Sequence, residues 1–237
     1  MTENIANHAV VPHEEWIVAR TSFLAREKEL TRLRDELSQA RRDLPWEAVT
    51  KKYVFQTADG QQTLAELFDG RSQLVIYHFM LAPEWKAGCK SCSFWADNFE
   101  GIDIHLAHRD VTLIAVSRAP LVTVDAYKKR MGWHFKWVSS FGSDFNYDYQ
   151  ASYTSEQVAS GNVFHNYAPS THAMSDLAGI SVFFRSPDNA IFHTYSCYAR
   201  GLDMMNGAYH YLDLTPKGRD EHGLAHTMDW VRRHDEY

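Results

Sequence analysis

Leu74-Val75-Ile76-Tyr77-His78-Phe79-Met80-Leu81 is an apolar run broken only by His78, and after six further residues comes Gly88-Cys89-Lys90-Ser91-Cys92. A continuous rather than alternating apolar pattern reads as a strand buried on both faces. The residues from 89 to about 100, with Phe94, Trp95 and Phe99 as apolar contacts, read as a helix. Two thiols three residues apart therefore sit where a buried strand feeds a helix. The first turn of a helix presents unpaired N–H groups and the positive end of its dipole, which favours a thiolate. Such a pair is a redox or a metal site. Cys89, nearer the exposed helix end, is the expected nucleophile, and Cys92, nearer the core, the expected resolving thiol.

Further out, 111–117 is a second buried strand, and 124–131 a helix with Thr123 and Asp125 near its start. A stretch dense in aromatics and turn formers follows, and about 146–178 reads as an irregular insertion, a kind of segment that often carries function. The spacing then predicts a hairpin, 180–184 and 190–198 around Ser186-Pro187-Asp188-Asn189, and two closing helices over 202–212 and 224–234. Before the decisive stretch, Tyr53-Val54-Phe55 leads through the turn Asp59-Gly60 to a short helix over 63–68.

The N-terminal part, 1–45, reads as a helical extension of a body over 46–237. Trp16, Phe23, Leu30, Leu37 and Leu44 recur every seven residues, with Ala19, Leu33 and Ala40 three residues after members of that series. Pro12 suits the start and Pro45 the end of this helix. Arg26 interrupts the second series, so the stripe is expected to dock, either on the rest of the chain or across a homodimer.

The chain has 237 residues, 45% of them hydrophobic, enough for a sizeable core. Three cysteines are too few and too odd for a disulfide-stapled scaffold, which points to a reducing, cytoplasmic setting with one pair available for chemistry. Residues 1–12 show neither a basic n-region nor an apolar h-region, and no run is long enough for a membrane span. The formal charge of −6 comes from interspersed acids and bases, so no basic footprint for nucleic acid is expected.

The order strand, thiol helix, strand, helix, hairpin, helix resembles the thioredoxin fold, an α/β class. Residues 53–80, with Asp59-Gly60 and Leu64-Ala65-Glu66-Leu67-Phe68, look like the opening of peroxiredoxin-type members. The whole chain resembles a family of thioredoxin-like bacterial proteins catalogued as the domain of unknown function 899. The matching stretches include Cys89-Lys90-Ser91-Cys92-Ser93-Phe94-Trp95, Tyr127-Lys128-Lys129-Arg130-Met131-Gly132-Trp133, Ser140-Phe141-Gly142-Ser143-Asp144-Phe145, Phe192-His193-Thr194-Tyr195 and Lys217-Gly218-Arg219-Asp220-Glu221. Two positions depart from the redox relatives. A thioredoxin has a cis-proline before the strand that faces its thiols, where this chain has Ala178-Gly179-Ile180. A peroxiredoxin has a threonine three residues before its peroxide-attacking cysteine, where this chain has Lys86.

In a fold of this kind the hairpin runs near the thiols. Period-two alternation puts His193, Tyr195 and Cys197 on one strand face, with His193 a proton donor or metal ligand. Trp85 is a candidate shield for the pair, and His78 a buried histidine that needs a partner. His105 and His108 read as a cationic cap on the thiol helix, and His165, Tyr167 and His172 as residues that close over the site. The first expectation is a thiol–disulfide oxidoreductase acting on a protein or small-molecule disulfide. The alternative is a zinc or copper site of Cys89, Cys92 and His193, as a related group of copper-delivery proteins has on this fold with cysteines four apart. A non-catalytic dimeric scaffold is the third.

Overall fold

The computed structural model describes residues 8–171 and 174–237. In chain order the elements are α1 (His13–Arg42), β1 (Glu47–Ala48), β2 (Val54–Thr57), β3 (Gly60–Thr63), a 3-10 turn Glu66–Phe68, β4 (Gln73–His78), α2 (Lys90–Ala96), α3 (Ile102–His108), β5 (Val111–Ser117), α4 (Leu121–Arg130) and β6 (Lys136–Ser139). Then follow α5 (Phe145–Asp148), α6 (Ser155–Ser160), β7 (Val163–His165), β8 (Ala168–Ser170), β9 (Gly179–Arg185), β10 (Ile191–Tyr198), a 3-10 stretch Ala199–Met205, α7 (Gly207–Asp213) and a 3-10 turn His234–Glu236.

Eight strands form one sheet in the order β1-β10-β9-β4-β5-β6-β2-β3. β4, β5 and β6 run parallel, β9 is antiparallel to β4, and β10 antiparallel to β9. A central strand leading into the thiol helix, a parallel neighbour reached through helices, and an antiparallel hairpin on the other side make the thioredoxin-like arrangement. β4 and β5 are continuous in apolar residues because both sheet faces are covered. Tyr77, Leu113, Ala115 and Ile180 pack with Cys92, Trp95 and Trp137 on one face. Leu74, Ile76, Ile114 and Phe183 pack with Phe55, Phe68 and Phe145 on the other.

Several expected elements end differently. The thiol helix stops at Ala96, and Gly101, at φ 82°, opens a separate α3. His105 and His108 therefore lie in the last turn of α3 and do not cap the thiol helix. The expected helix over 202–212 is split at Asn206, whose extended backbone and side-chain oxygen, accepting from Tyr209 N at 3.2 Å, start α7 afresh. No helix forms over 224–233. There the Glu221 carboxylate takes the Met228 N–H and Asp229 takes the His226 N–H, while Met228 itself sits at φ 67°. Donors that a helix would use internally go to side chains instead. Within the insertion, α6 is opened by a capping box of Thr154 and Gln157, and β7 pairs with β8.

The expectation that α1 docks on its own chain is corrected. None of its thirty residues is buried, and Trp16, Phe23, Leu30 and Leu37 are 52, 52, 58 and 60% exposed. Its contact with the body is at its end, where the Arg41 guanidinium lies 4.9 Å over the Tyr195 ring. No helix among the described residues is long and apolar enough to cross a membrane.

Candidate functional site

Cys89 is the N-cap residue of α2, with extended φ and ψ of −55° and 132°. Its own N–H is tied to the Met80 carbonyl at 3.0 Å, and its carbonyl accepts from Ser93 N at 3.0 Å. Gly88 lets the loop pass between two rings, since a Cβ there would meet Phe79 and Tyr127 ring carbons at 2.6 Å. The Gly88 carbonyl accepts from Arg233 Nη2 at 2.7 Å, and Arg233 Nε donates to the Tyr127 hydroxyl at 2.9 Å. Tyr127 in turn bonds Ser93 Oγ at 2.8 Å. The thiol loop is thus held by an arginine from the last five residues of the chain. No periodic pattern marks Arg233, so the sequence carries no local signal for it.

Cys92 is buried behind Cys89, its sulfur accepting from Met80 N at 3.4 Å and lying against the Tyr77 hydroxyl. Burial pushes the Cys92 thiol well above its ordinary range, and the neighbouring Cys89 adds to this. Cys89 moves the other way, from 9.0 down to about 6. The largest cause is the hydrogen bond it receives from the Cys92 thiol, opposed by burial and helped by the Cys92 and Ser91 N–H groups at the helix start. The two shifts are linked: the Cys92 thiol, which burial keeps protonated, favours the Cys89 thiolate. All three cysteines are unbridged, and Cys197 lies on β10, two strands from β4, with its thiol directed at the Gly201 carbonyl, 3.6 Å distant.

Cys89 and Cys92 open onto a cavity of about 770 Å³. Tyr77, Met80, Ser91 and Trp95 form its wall beside the thiols, His165, Met174, Leu177 and Ala178 come from the insertion, and the stretch from Ala199 to Met228 closes the far side. Ala178 stands at the thiol cavity just before β9, where a thioredoxin has its proline. His165 is fixed by the Tyr153 hydroxyl at 2.9 Å and the Tyr198 ring at 5.1 Å. Tyr167 donates to the Ser196 carbonyl at 3.2 Å and does not line the cavity. His172 lies outside the described residues. The insertion is pinned by Asp176, whose side chain is 3% exposed and which pairs with Arg118 through two hydrogen bonds of 2.9 and 2.5 Å. Ser152 and Ser175 also donate to Asp176, at 2.9 and 2.8 Å. An arginine directly after the buried strand is the sequence signal that could have found this anchor.

The shared face expected for His193, Tyr195 and Cys197 is corrected by a bulge. The β9–β10 register shifts between His193 and Tyr195, so Thr194 is the extra residue and His193 turns to the opposite face. There its ring packs on Tyr149 and Phe183, and Nε2 bonds Ser196 Oγ at 2.7 Å. Ser196 continues to Ser181, and Ser181 to His78 Nε2, at 2.9 Å each. His78 is therefore on the far side of the sheet from the thiols, stacked on Phe145, and burial holds its pKa down at about 3. Cys89, Cys92 and His193 are not brought together. Among the described residues no group of three or more His, Cys, Asp or Glu side chains is placed to hold a metal ion. Trp85 and Tyr195 pack against the thiol-side core, and neither lines the cavity.

A family model described as a bacterial protein of unknown function, DUF899, matches residues 5–237. The chain belongs to the DUF899 family. Among solved structures, this DUF899 protein is similar to the peroxidoxin BcpB of Mycobacterium tuberculosis at 10% identity and a TM-score of 0.46, covering 68% of this chain and 93% of that one. A mutant PrxQ of Xylella fastidiosa overlaps at 11% identity and 0.44, covering 70% and 95%. A thiol:disulfide interchange protein DsbE of Chlorobium tepidum, so described, overlaps at 8% and 0.42, covering 70% and 97%. A search of curated proteins found no match for the DUF899 chain.

Proposed function

We propose that the protein is a thiol–disulfide oxidoreductase, working in a reducing compartment such as the cytoplasm. The observation that carries this is the division of labour between the two thiols at one cavity: Cys89 held low at about 6, Cys92 buried and held high. The Cys89 thiolate attacks one sulfur of a substrate disulfide, forming a mixed disulfide and expelling the other half as a thiolate, which takes a proton from water. Loss of the Cys89 charge removes the partner that held the Cys92 proton, so Cys92 deprotonates more readily and attacks Cys89 Sγ. The second substrate thiol leaves, and the protein ends as a Cys89–Cys92 disulfide. Mild oxidation followed by alkylation and peptide mass spectrometry tests this. The expected product is a reversible Cys89–Cys92 link with Cys197 alkylated, and a Cys89–Cys197 link as the sole product would refute it.

We also propose that a second copy covers α1. Its first turn is acidic (Glu14, Glu15) and its last turn basic (Arg41, Arg42), so an antiparallel partner aligns the opposite charges. In the register that pairs residue 14 with 42, Trp16 meets Ala40, Phe23 meets Leu33 and Leu37 meets Ala19. Trp16 and Leu37 then face alanines, while Phe23 packs against Leu33 and Leu30 lies opposite Arg26.

A further inference from the structure

The ionic residues of the thiol cavity are not evenly matched. Arg219 donates from Nε and Nη2 to the Asp213 carboxylate at 2.8 Å each and from Nη1 to Asp203 at 2.9 Å. Arg200 donates to the same Asp203 at 3.1 and 2.9 Å. Both cations of the lining are thus committed to carboxylates of their own chain. Glu221, the remaining carboxylate of the lining, forms no ion pair among the described residues. Its partners are neutral donors: the Tyr209 hydroxyl at 2.7 Å, the Trp230 indole N–H at 2.9 Å and the Met228 N–H at 3.0 Å. All three reach the same atom, Oε1, and among the described residues no donor reaches Oε2. The side chain is locked in place with one oxygen unclaimed.

Resting on the oxidoreductase reading, we propose that the cavity admits a low-molecular-weight disulfide bearing an aliphatic ammonium group, received by Glu221 while Cys89 attacks the disulfide. The volume of about 770 Å³ is that of a small-molecule site. Met80, Trp95, Leu177 and Leu202 offer apolar wall for methylene arms. An anionic disulfide meets Glu221 without a free cation to offset it, and is disfavoured. The electron count closes within one turnover: the protein dithiol is oxidised to a disulfide, the substrate's S–S bond is reduced, and two aminothiols leave. No further reductant enters that half-reaction.

Pre-reduced, desalted protein is mixed with cystamine, hydroxyethyl disulfide or dithiodipropionate, which carry cationic, neutral and anionic arms. The rate of Cys89–Cys92 disulfide formation is followed by quenched alkylation at near-physiological ionic strength. Each rate is divided by that of the same disulfide with a small reference thiol at the same pH, because a lower leaving-thiol pKa speeds attack by itself. On these normalised rates, which all the comparisons use, cystamine is expected to react about five-fold or more faster than the neutral disulfide, with the anionic one slowest. E221Q keeps a carbonyl acceptor for Tyr209, Trp230 and Met228 and removes the charge, so the cystamine preference should shrink toward unity. Equal rates for cystamine and hydroxyethyl disulfide, or a preference that survives in E221Q, overturns the proposal while leaving the oxidoreductase reading standing. Failure of all three disulfides to oxidise Cys89 overturns both.

Discussion

Replacing Cys92 with alanine removes the donor that does most to hold Cys89 at about 6. A hydrogen bond to a charged group is worth about 1.5–3 kcal/mol net, and 1.36 kcal/mol moves a pKa by about one unit. The Cys89 pKa in Cys92→Ala should therefore rise by about one to two units. At pH 6 its thiolate fraction falls from about a half to between about a tenth and a hundredth. Part of that loss is offset because a more basic thiolate is the better nucleophile, with a Brønsted slope of about 0.4–0.5. The net expectation is alkylation about 2- to 6-fold slower at pH 6 and about 3- to 7-fold faster at pH 9, so that the two profiles cross. Cys92→Ser retains a hydroxyl donor and should shift less. The assay is iodoacetamide labelling of reduced protein from pH 4.5 to 10, read peptide by peptide so that Cys197 does not contribute. A wild-type half-point near 9, or a Cys92→Ala profile displaced by the same factor at every pH, would show that access rather than the thiol hydrogen bond sets the reactivity.

Arg118→Ala leaves the Asp176 carboxylate, 3% exposed, without its cation, and should cost about 3–5 kcal/mol. Loosening should begin in the insertion, so limited proteolysis is expected to cut between 160 and 177 before the sheet melts, and uniform protection would refute the anchor. In α1, Phe23→Ala with Leu30→Ala removes side chains already 52 and 58% exposed in the single chain. Light scattering should then show the mass falling from dimer to monomer, and a wild-type chain that is monomeric throughout would refute the paired helix.

How much of this was legible in the sequence depends on where the hydrogen bonds go. β4, β5 and α2 are visible because backbone pairing and burial impose simple patterns: continuous apolar runs for strands covered on both faces, then a thiol at a helix start. The closing segment is not visible in that way. Its backbone donors are taken by Glu221 and Asp229 side chains, so an apolar residue every three or four positions over 224–234 suggests a helix that the local polar groups outcompete. Yet this same segment supplies Met228 to the cavity and Arg233 to steady the thiol loop, and Glu221, just before it, completes that cavity wall.

The histidines show the sharper limit. Alternation assigns His193 to the face of Cys197, and one extra residue at Thr194 reverses that assignment. The consequence is chemical as well as geometric. With His193 and His78 joined through Ser196 and Ser181 on the far face, neither imidazole reaches Cys89, so the task of lowering its pKa falls to Cys92 and to the helix N–H groups. A thiolate made by a neighbouring thiol differs from one made by an imidazolium. In the proposed reaction its stabilising donor is itself the resolving nucleophile, and once Cys89 is capped by substrate that donor has no anion left to serve. Activation of the first thiol and release of the second are thus two states of one hydrogen bond, which is why its removal in Cys92→Ala is expected to slow the attack at pH 6 and also to trap the mixed disulfide.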